Sequence, residues 1–207
     1  MKIKLLYLSI GVLSVMLAAV SCRQNTSDKE TENRELTEAE RTIYIEKGKV
    51  IAGSTFKALS SNLQAAMKEG GVANAISYCN LQAYPLTDSL SKVHQVDIRR
   101  TTLKARNPKN APDAAERAIL EDYAQAAGQG MELTPRVALL DDQTVVFYAP
   151  IKVNVFCLQC HGKLGESLRE TDYAVIKEHY PGDEAVGYAD GDLRGMWSIK
   201  FHRDASE

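Results

Sequence analysis

The chain has 207 residues, 44% of them hydrophobic, with 25 basic and 27 acidic side chains and a net charge of −2. No basic excess marks it for nucleic acid. There are no internal repeats, and the length suits one core-forming domain behind a short leader.

Lys2 and Lys4 precede an uncharged run from Leu5 to Val20, followed by Ser21 and Cys22. A basic start, a short apolar core and small residues read as a secretory signal, residues 1–21. The ending AVSC adds a lipoprotein reading, with cleavage before Cys22 and lipid on its sulfur. Ala19 stands where leucine is more usual, and a plain N-terminal anchor helix is the alternative. Both readings place the body in the periplasm or cell envelope, tied to a membrane. Loss of Lys2 and Lys4 leaves 23 bases against 27 acids, a net of −4. Residues 22–35 are polar and free of aromatics, the composition of a flexible tether.

Residues 36–70 read as a helix. Thr37 and Glu40 form a capping box, and Ile43, Val50, Phe56, Leu59, Leu63 and Met67 make an approximate apolar stripe. Gly70-Gly71 breaks the run. A second helix is predicted from Val72 to Val93, with apolar positions at steps of three and four through Ala75, Ile76, Cys79, Ala83, Leu86 and Leu90. Pro85 should kink it.

Val96 to Leu103 reads as a strand, and the Pro- and Asn-rich Lys104 to Pro112 as a loop. A helix follows from Asp113 to about Ala127. RVALL and TVVFYAPI flank Asp141-Asp142-Gln143 as a hairpin. A short helix spans Glu170 to His179. The last run, Arg194 to His202, alternates as a half-buried strand, with Trp197, Ile199 and Phe201 on one face and Met196, Ser198 and Lys200 on the other. Long helices followed by strands and short helices give an α+β fold with a mostly antiparallel sheet.

The chemistry concentrates in NVFCLQCHGK, Asn154 to Lys163. C-x-x-C-H is the attachment signature of a c-type haem. Two thioethers, from Cys157 and Cys160, hold the vinyl groups of one porphyrin, and His161 reaches the iron as the proximal ligand. Export agrees with covalent attachment. A structural zinc would want four ligands, and no second C-x-x-C or paired histidines exist. A thioredoxin-like pair would want a βαβ unit, which the pattern lacks. A disulfide across a two-residue loop would stabilise little.

Cys79 is the remaining cysteine, on the inward stripe of the second helix. Its position leaves two readings open: a small buried hydrophobe or a ligand. His94, His179, His202, Met67, Met131 and Met196 are the competitors for the sixth position. His94 ends the same helix but lies about 22 Å along its axis from Cys79. His179 and His202, at element ends, read as solvated surface. Arg99, Arg100 and Arg106 are candidates to pair with the haem propionates, since guanidinium meets carboxylate in two-pronged fashion. Strand alternation sends Arg99 and Arg100 to opposite faces. Asn107 and Asn110 are expected to fix the loop backbone.

AISYCNLQA (Ala75 to Ala83), IRRTTLKARNPKNAPDAAE (Ile98 to Glu116), CLQCHG and GDLRGMWSI (Gly191 to Ile199) together resemble one family. It is the PAS-like c-type haem domain first described from cyanobacteria and found also in sensor proteins. The resemblance spans Val72 to Phe201, so the PAS-like domain is drawn as residues 71–203, and R-R-T-T-L-K-x-R-N-P-x-N-x-P is its most specific string. It implies a PAS-like antiparallel sheet with flanking helices, one haem c, and a His/Cys axial pair in which Cys79 is the thiolate. Domains of this kind pair through a leading helix, which makes Ile43 to Met67 the candidate homodimer face. A short tail follows the last strand, so no transmitter region is expected.

A thiolate opposite imidazole lowers the iron's potential. That suits a redox or diatomic-gas sensor with a signalling partner at the membrane. The alternative is a small periplasmic electron-transfer cytochrome c. An enzyme of peroxidase type lacks a distal acid-base pair beside Cys79.

Overall fold

The computed structural model describes residues 35–203. The expected signal peptide, the expected lipidation site Cys22 and all of the expected tether but Glu35 lie outside the described residues. Helix α1 runs from Glu38 to His94 and is capped by Thr37. The Thr37 hydroxyl accepts from the Glu40 amide at 3.2 Å, and the Glu40 carboxylate accepts from the Thr37 amide at 2.9 Å, the reciprocal pair that satisfies two orphan donors. The helix is two arms joined at Gly70-Gly71, where the dihedrals leave the helical range. Gly71 takes φ 68°, a backbone state open to glycine at little cost. The interruption is there and not at Pro85, whose dihedrals stay helical. Pro85 and Leu81, whose carbonyl loses its donor, both lie on the exposed side, so the missing bond leaves no buried orphan.

After α1 come β1 (Asp97–Thr101), α2 (Ala114–Gly128), β2 (Arg136–Asp141), β3 (Thr144–Lys152), α3 (Leu158–His161), α4 (Glu170–His179) and β4 (Leu193–His202). Asp113 and Glu116 cap α2 reciprocally, as Thr37 and Glu40 cap α1. The strands form one antiparallel sheet in the order β1-β4-β3-β2. This is the expected α+β, PAS-like arrangement, with a long leading helix. β4 is central, with Ile199 opposite Ile98 on one side and Phe147 on the other.

Both faces of β4 are covered. Trp197, Ile199 and Phe201 join Phe147, Val145 and Ile98 under the first arm of α1, through Ile51 and Ala52. Met196 joins Val146 and Tyr148 under Leu120 and Tyr123 of α2. The expectation of a half-buried strand is therefore corrected: the alternation is right, but α2 closes the face that Ser198 and Met196 would otherwise turn to water. A third cluster, Val72, Ile76, Leu168, Ile176 and Tyr180, fastens the second arm of α1 to α4.

The first arm sits close because Gly48 is buried against the sheet. A Cβ there would overlap the Phe147 ring. Gly48→Ala should gain about 1 kcal/mol in helix propensity and lose about 1–3 kcal/mol to overpacking. The expected result is a lower urea midpoint with an unchanged slope, and a raised midpoint would contradict this packing.

Candidate functional site

Strand β3 hands over to the C-x-x-C-H segment at Asn154. The Asn154 carboxamide oxygen accepts from the Cys157 amide and the Cys157 thiol, both at 3.2 Å. One helical turn follows, with the His161 amide donating to the Cys157 carbonyl at 3.0 Å. Gly162 ends it, where a Cβ would overlap the Ser167 hydroxyl. The turn thus projects Cys157 and His161 to one side.

His161 is fixed by its far nitrogen. Its Nδ1 lies 2.7 Å from the Ala185 carbonyl, which can only accept, so Nδ1 carries the proton and Nε2 is left bare. Burial holds the imidazole well below its ordinary range, and the guanidiniums of Arg194 and Arg106 push the same way. A neutral imidazole with an oriented bare nitrogen is the metal-ligating form. The Tyr188 ring packs edge-on against His161 at 6.4 Å.

Arg106 ties this region together. Its Nε and Nη2 meet the Asp183 carboxylate at 3.0 and 3.2 Å, and Nη2 donates to the Cys160 carbonyl at 2.6 Å. The Asp183 side chain is fully buried, so the pair is desolvated. Arg99 is engaged elsewhere, with the Ala111 carbonyl at 3.0 Å and the buried Glu116 at 3.4 Å. Arg100, one residue on, lines a cavity instead.

That cavity measures about 360 Å³. Its walls come from both arms of α1 (Phe56, Leu63, Tyr78, Cys79), from the C-x-x-C-H turn (Phe156, Cys157, His161) and from the sheet (Arg100, Arg194, Trp197). A second cavity of about 140 Å³ shares Leu63, Cys79, Phe156, Cys157 and His161 and adds Met67, Arg106, Cys160 and Tyr180. The structure therefore brings together Cys157, His161, Cys79 and Arg100 around one space, with Cys160 and Arg106 on its smaller lobe. Burial pushes the Cys79 thiol up, with Arg100 and Arg106 opposing it. Burial likewise pushes Cys160 up to about 11. All three described cysteines are free thiols.

The competitors are placed elsewhere, with one exception. His94 faces Ser54 at 3.4 Å, His179 reaches Ser77 at 3.2 Å, and His202 pairs with Asp97 at 2.9 Å. Met131 is exposed, and Met196 is buried on the α2 face of the sheet. Met67 lines the smaller lobe. Sequence reasoning missed Arg194, Trp197 and the Ala185 carbonyl. Arg194 and Trp197 stand within the GDLRGMWSI string, and their charge and size in a strand were the available signal. Nothing in the sequence points to a backbone carbonyl.

An apolar cavity with an oriented imidazole, two adjacent thiols, a third thiol from a facing helix and guanidinium groups in its wall fits a haem. Among the described residues no group of three or more His, Cys, Asp or Glu gathers as for a metal ion.

A family model described as Tll0287-like matches residues 14–201. The crystal structure of the cyanobacterial heme-protein Tll0287 matches with a TM-score of 0.53 and 24% identity, over 78% of this chain and 98% of that chain. At that identity the likeness is one of fold. No curated protein matches the chain.

Arg106→Gln leaves the Asp183 carboxylate buried without its partner. The expected cost is about 3–5 kcal/mol in urea unfolding. A cost under about 1 kcal/mol, the range of an exposed pair, would show that Arg106 does not hold the turn.

Proposed function

The chain belongs to the Tll0287-like family, and on that premise we propose that it is an exported haem c domain, lipid-anchored at Cys22, that senses redox state or a diatomic gas. Cys157 and Cys160 form the two thioethers. His161 is the proximal ligand, held by Ala185. Cys79, from the second arm of α1, would be the second iron ligand. The observation that carries the reading is that Cys79 and His161 line the same two cavities while the His161 Nδ1 is already committed to a carbonyl.

When bound, the haem supplies an iron that changes oxidation state and takes small ligands. The chain's part is to set which groups face it. His161 stays neutral and oriented through its Nδ1–H. Cys79, as thiolate, would donate charge to a bound haem. Its surroundings favour the neutral thiol, since burial is the largest influence on it. With a haem bound, Cys79 would be the group that gives way to a small ligand, which is what a ligand-exchange sensor requires. The leader supports export, and the net charge of −4 on the mature chain leaves no case for nucleic acid. Among the described residues no helix is long and apolar enough to cross a membrane, so attachment falls to the segment ending at Cys22.

The test is the absorption spectrum of the matured protein, oxidised and then reduced under carbon monoxide. Low-spin thiolate ligation in the oxidised state should vanish in Cys79→Ala, and the reduced wild-type protein should bind carbon monoxide. An unchanged spectrum in Cys79→Ala would return that cysteine to the core. A reduced protein that stays six-coordinate and ignores carbon monoxide would instead fit a small electron-transfer cytochrome.

A further inference from the structure

Arg100 and Arg194 present an unbalanced charge. Both are half-buried and line the cavity of about 360 Å³ together with Cys79. Among the described residues Arg100 has no carboxylate partner and no side-chain hydrogen bond. Its charged form is disfavoured by burial, and the groups that oppose this are Cys79, Tyr84 and Tyr180, none of them a carboxylate. Arg194 donates from Nη1 to the Thr102 hydroxyl at 2.9 Å and the Lys104 carbonyl at 3.1 Å. Its guanidinium lies 5.4 Å from the Tyr188 ring centre. Its Nε is buried without a partner. These contacts orient the group and do not neutralise it.

Arg106 adds a third positive charge that both Arg194 and His161 feel. The carboxylate within reach of Arg194 is Asp183, which is paired with Arg106. Three guanidiniums against one carboxylate leave two positive charges beside an apolar cavity. Desolvated cations without counter-charges are costly, and a protein keeps them where a ligand supplies the anions.

We propose that Arg100 and Arg194 form a clamp for a ligand bearing two carboxylates, seated at the sheet wall of the large cavity. This rests on the haem reading, under which the two propionates are those carboxylates. Arg100 enters from β1, where it faces Trp197 of β4, and Arg194 enters from β4 three residues before Trp197; both line the same cavity. The thioether cysteines and His161 come from the turn after β3. Arg99 and Arg106, already committed to Glu116 and Asp183, are not part of the clamp. Arg100 and Arg194 would hold the two propionates of a bound haem at the sheet wall of the cavity.

The test compares haem with haem dimethyl ester, which has the same plate and iron without the two charges. Full-length chain made without attached haem is titrated with each and followed by the Soret band, with circular dichroism as the check on folding. Haem should bind tighter than the ester by on the order of tenfold or more, the worth of a charge-assisted pair. The preference should shrink in Arg100→Gln and in Arg194→Gln, and persist in part in Arg100→Lys and Arg194→Lys. Equal binding of haem and ester to the wild-type chain would overturn the clamp and leave the haem reading intact. If neither macrocycle binds but succinate protects the wild-type chain, and not the glutamine variants, against thermal unfolding, the clamp stands and its ligand is a free dicarboxylate. If nothing binds to the folded chain, the clamp falls, and the haem reading is decided by whether the matured protein carries covalent haem.

Discussion

One guanidinium holds the site in shape. Arg106 meets both oxygens of Asp183, the Cys160 carbonyl and, at 3.4 Å, the Ala185 carbonyl. It therefore joins three segments distant in sequence: the loop after β1, the C-x-x-C-H turn and the stretch before β4. Ala185 is the same residue whose carbonyl takes the His161 Nδ1–H, and its own amide donates to Asp183 at 3.0 Å. The orientation of the imidazole is thus a consequence of a buried ion pair. A second tie runs parallel to it, with the Tyr188 amide donating to the His161 carbonyl at 3.0 Å and the Gly187 amide to that of Gly162 at 2.9 Å. Geometry of this kind specifies a site more than it stabilises a fold.

The opposite wall is made by a different device. The two arms of α1 meet at Gly70-Gly71, so Phe56 and Leu63 from one arm and Cys79 from the other can face a common space. An unbroken helix of 57 residues could not fold its own side chains around a cavity. The first arm is anchored on the sheet through Gly48 and Ile51, the second on α4 through Val72 and Ile76.

Much of this was legible in the sequence, for identifiable reasons. Helices α2 and α4, the β2-β3 hairpin and the α1 break carry local signals: caps, period, turn residues and paired glycines. The C-x-x-C-H spacing carries its chemistry in five consecutive residues. Less legible was whatever depends on a distant partner. Asp183 stands 77 residues from Arg106, and Ala185 offers only its backbone. The covering of β4 by α2 is a matter of which element lands on which face, so the alternation of Met196 and Trp197 could not disclose that both sides are buried. Pro85 was overread because a proline's missing donor matters where water cannot replace it, and here the helix face is exposed. Arg99 and Arg100 were separated correctly by strand alternation, yet only the fold distinguishes the one paired with Glu116 from the one left facing the cavity.

The most direct measurement is the intact mass of the protein, produced with the c-type maturation machinery and denatured before analysis. The expected mass is that of the processed chain from Cys22, with its lipid, plus one haem, retained after acid-acetone extraction. It should persist through a single thioether in either Cys157→Ala or Cys160→Ala, and be lost when both are replaced. A bare chain mass from fully matured material, with the haem wholly extracted, would contradict covalent attachment at Cys157 and Cys160 and leave those two thiols as a redox pair.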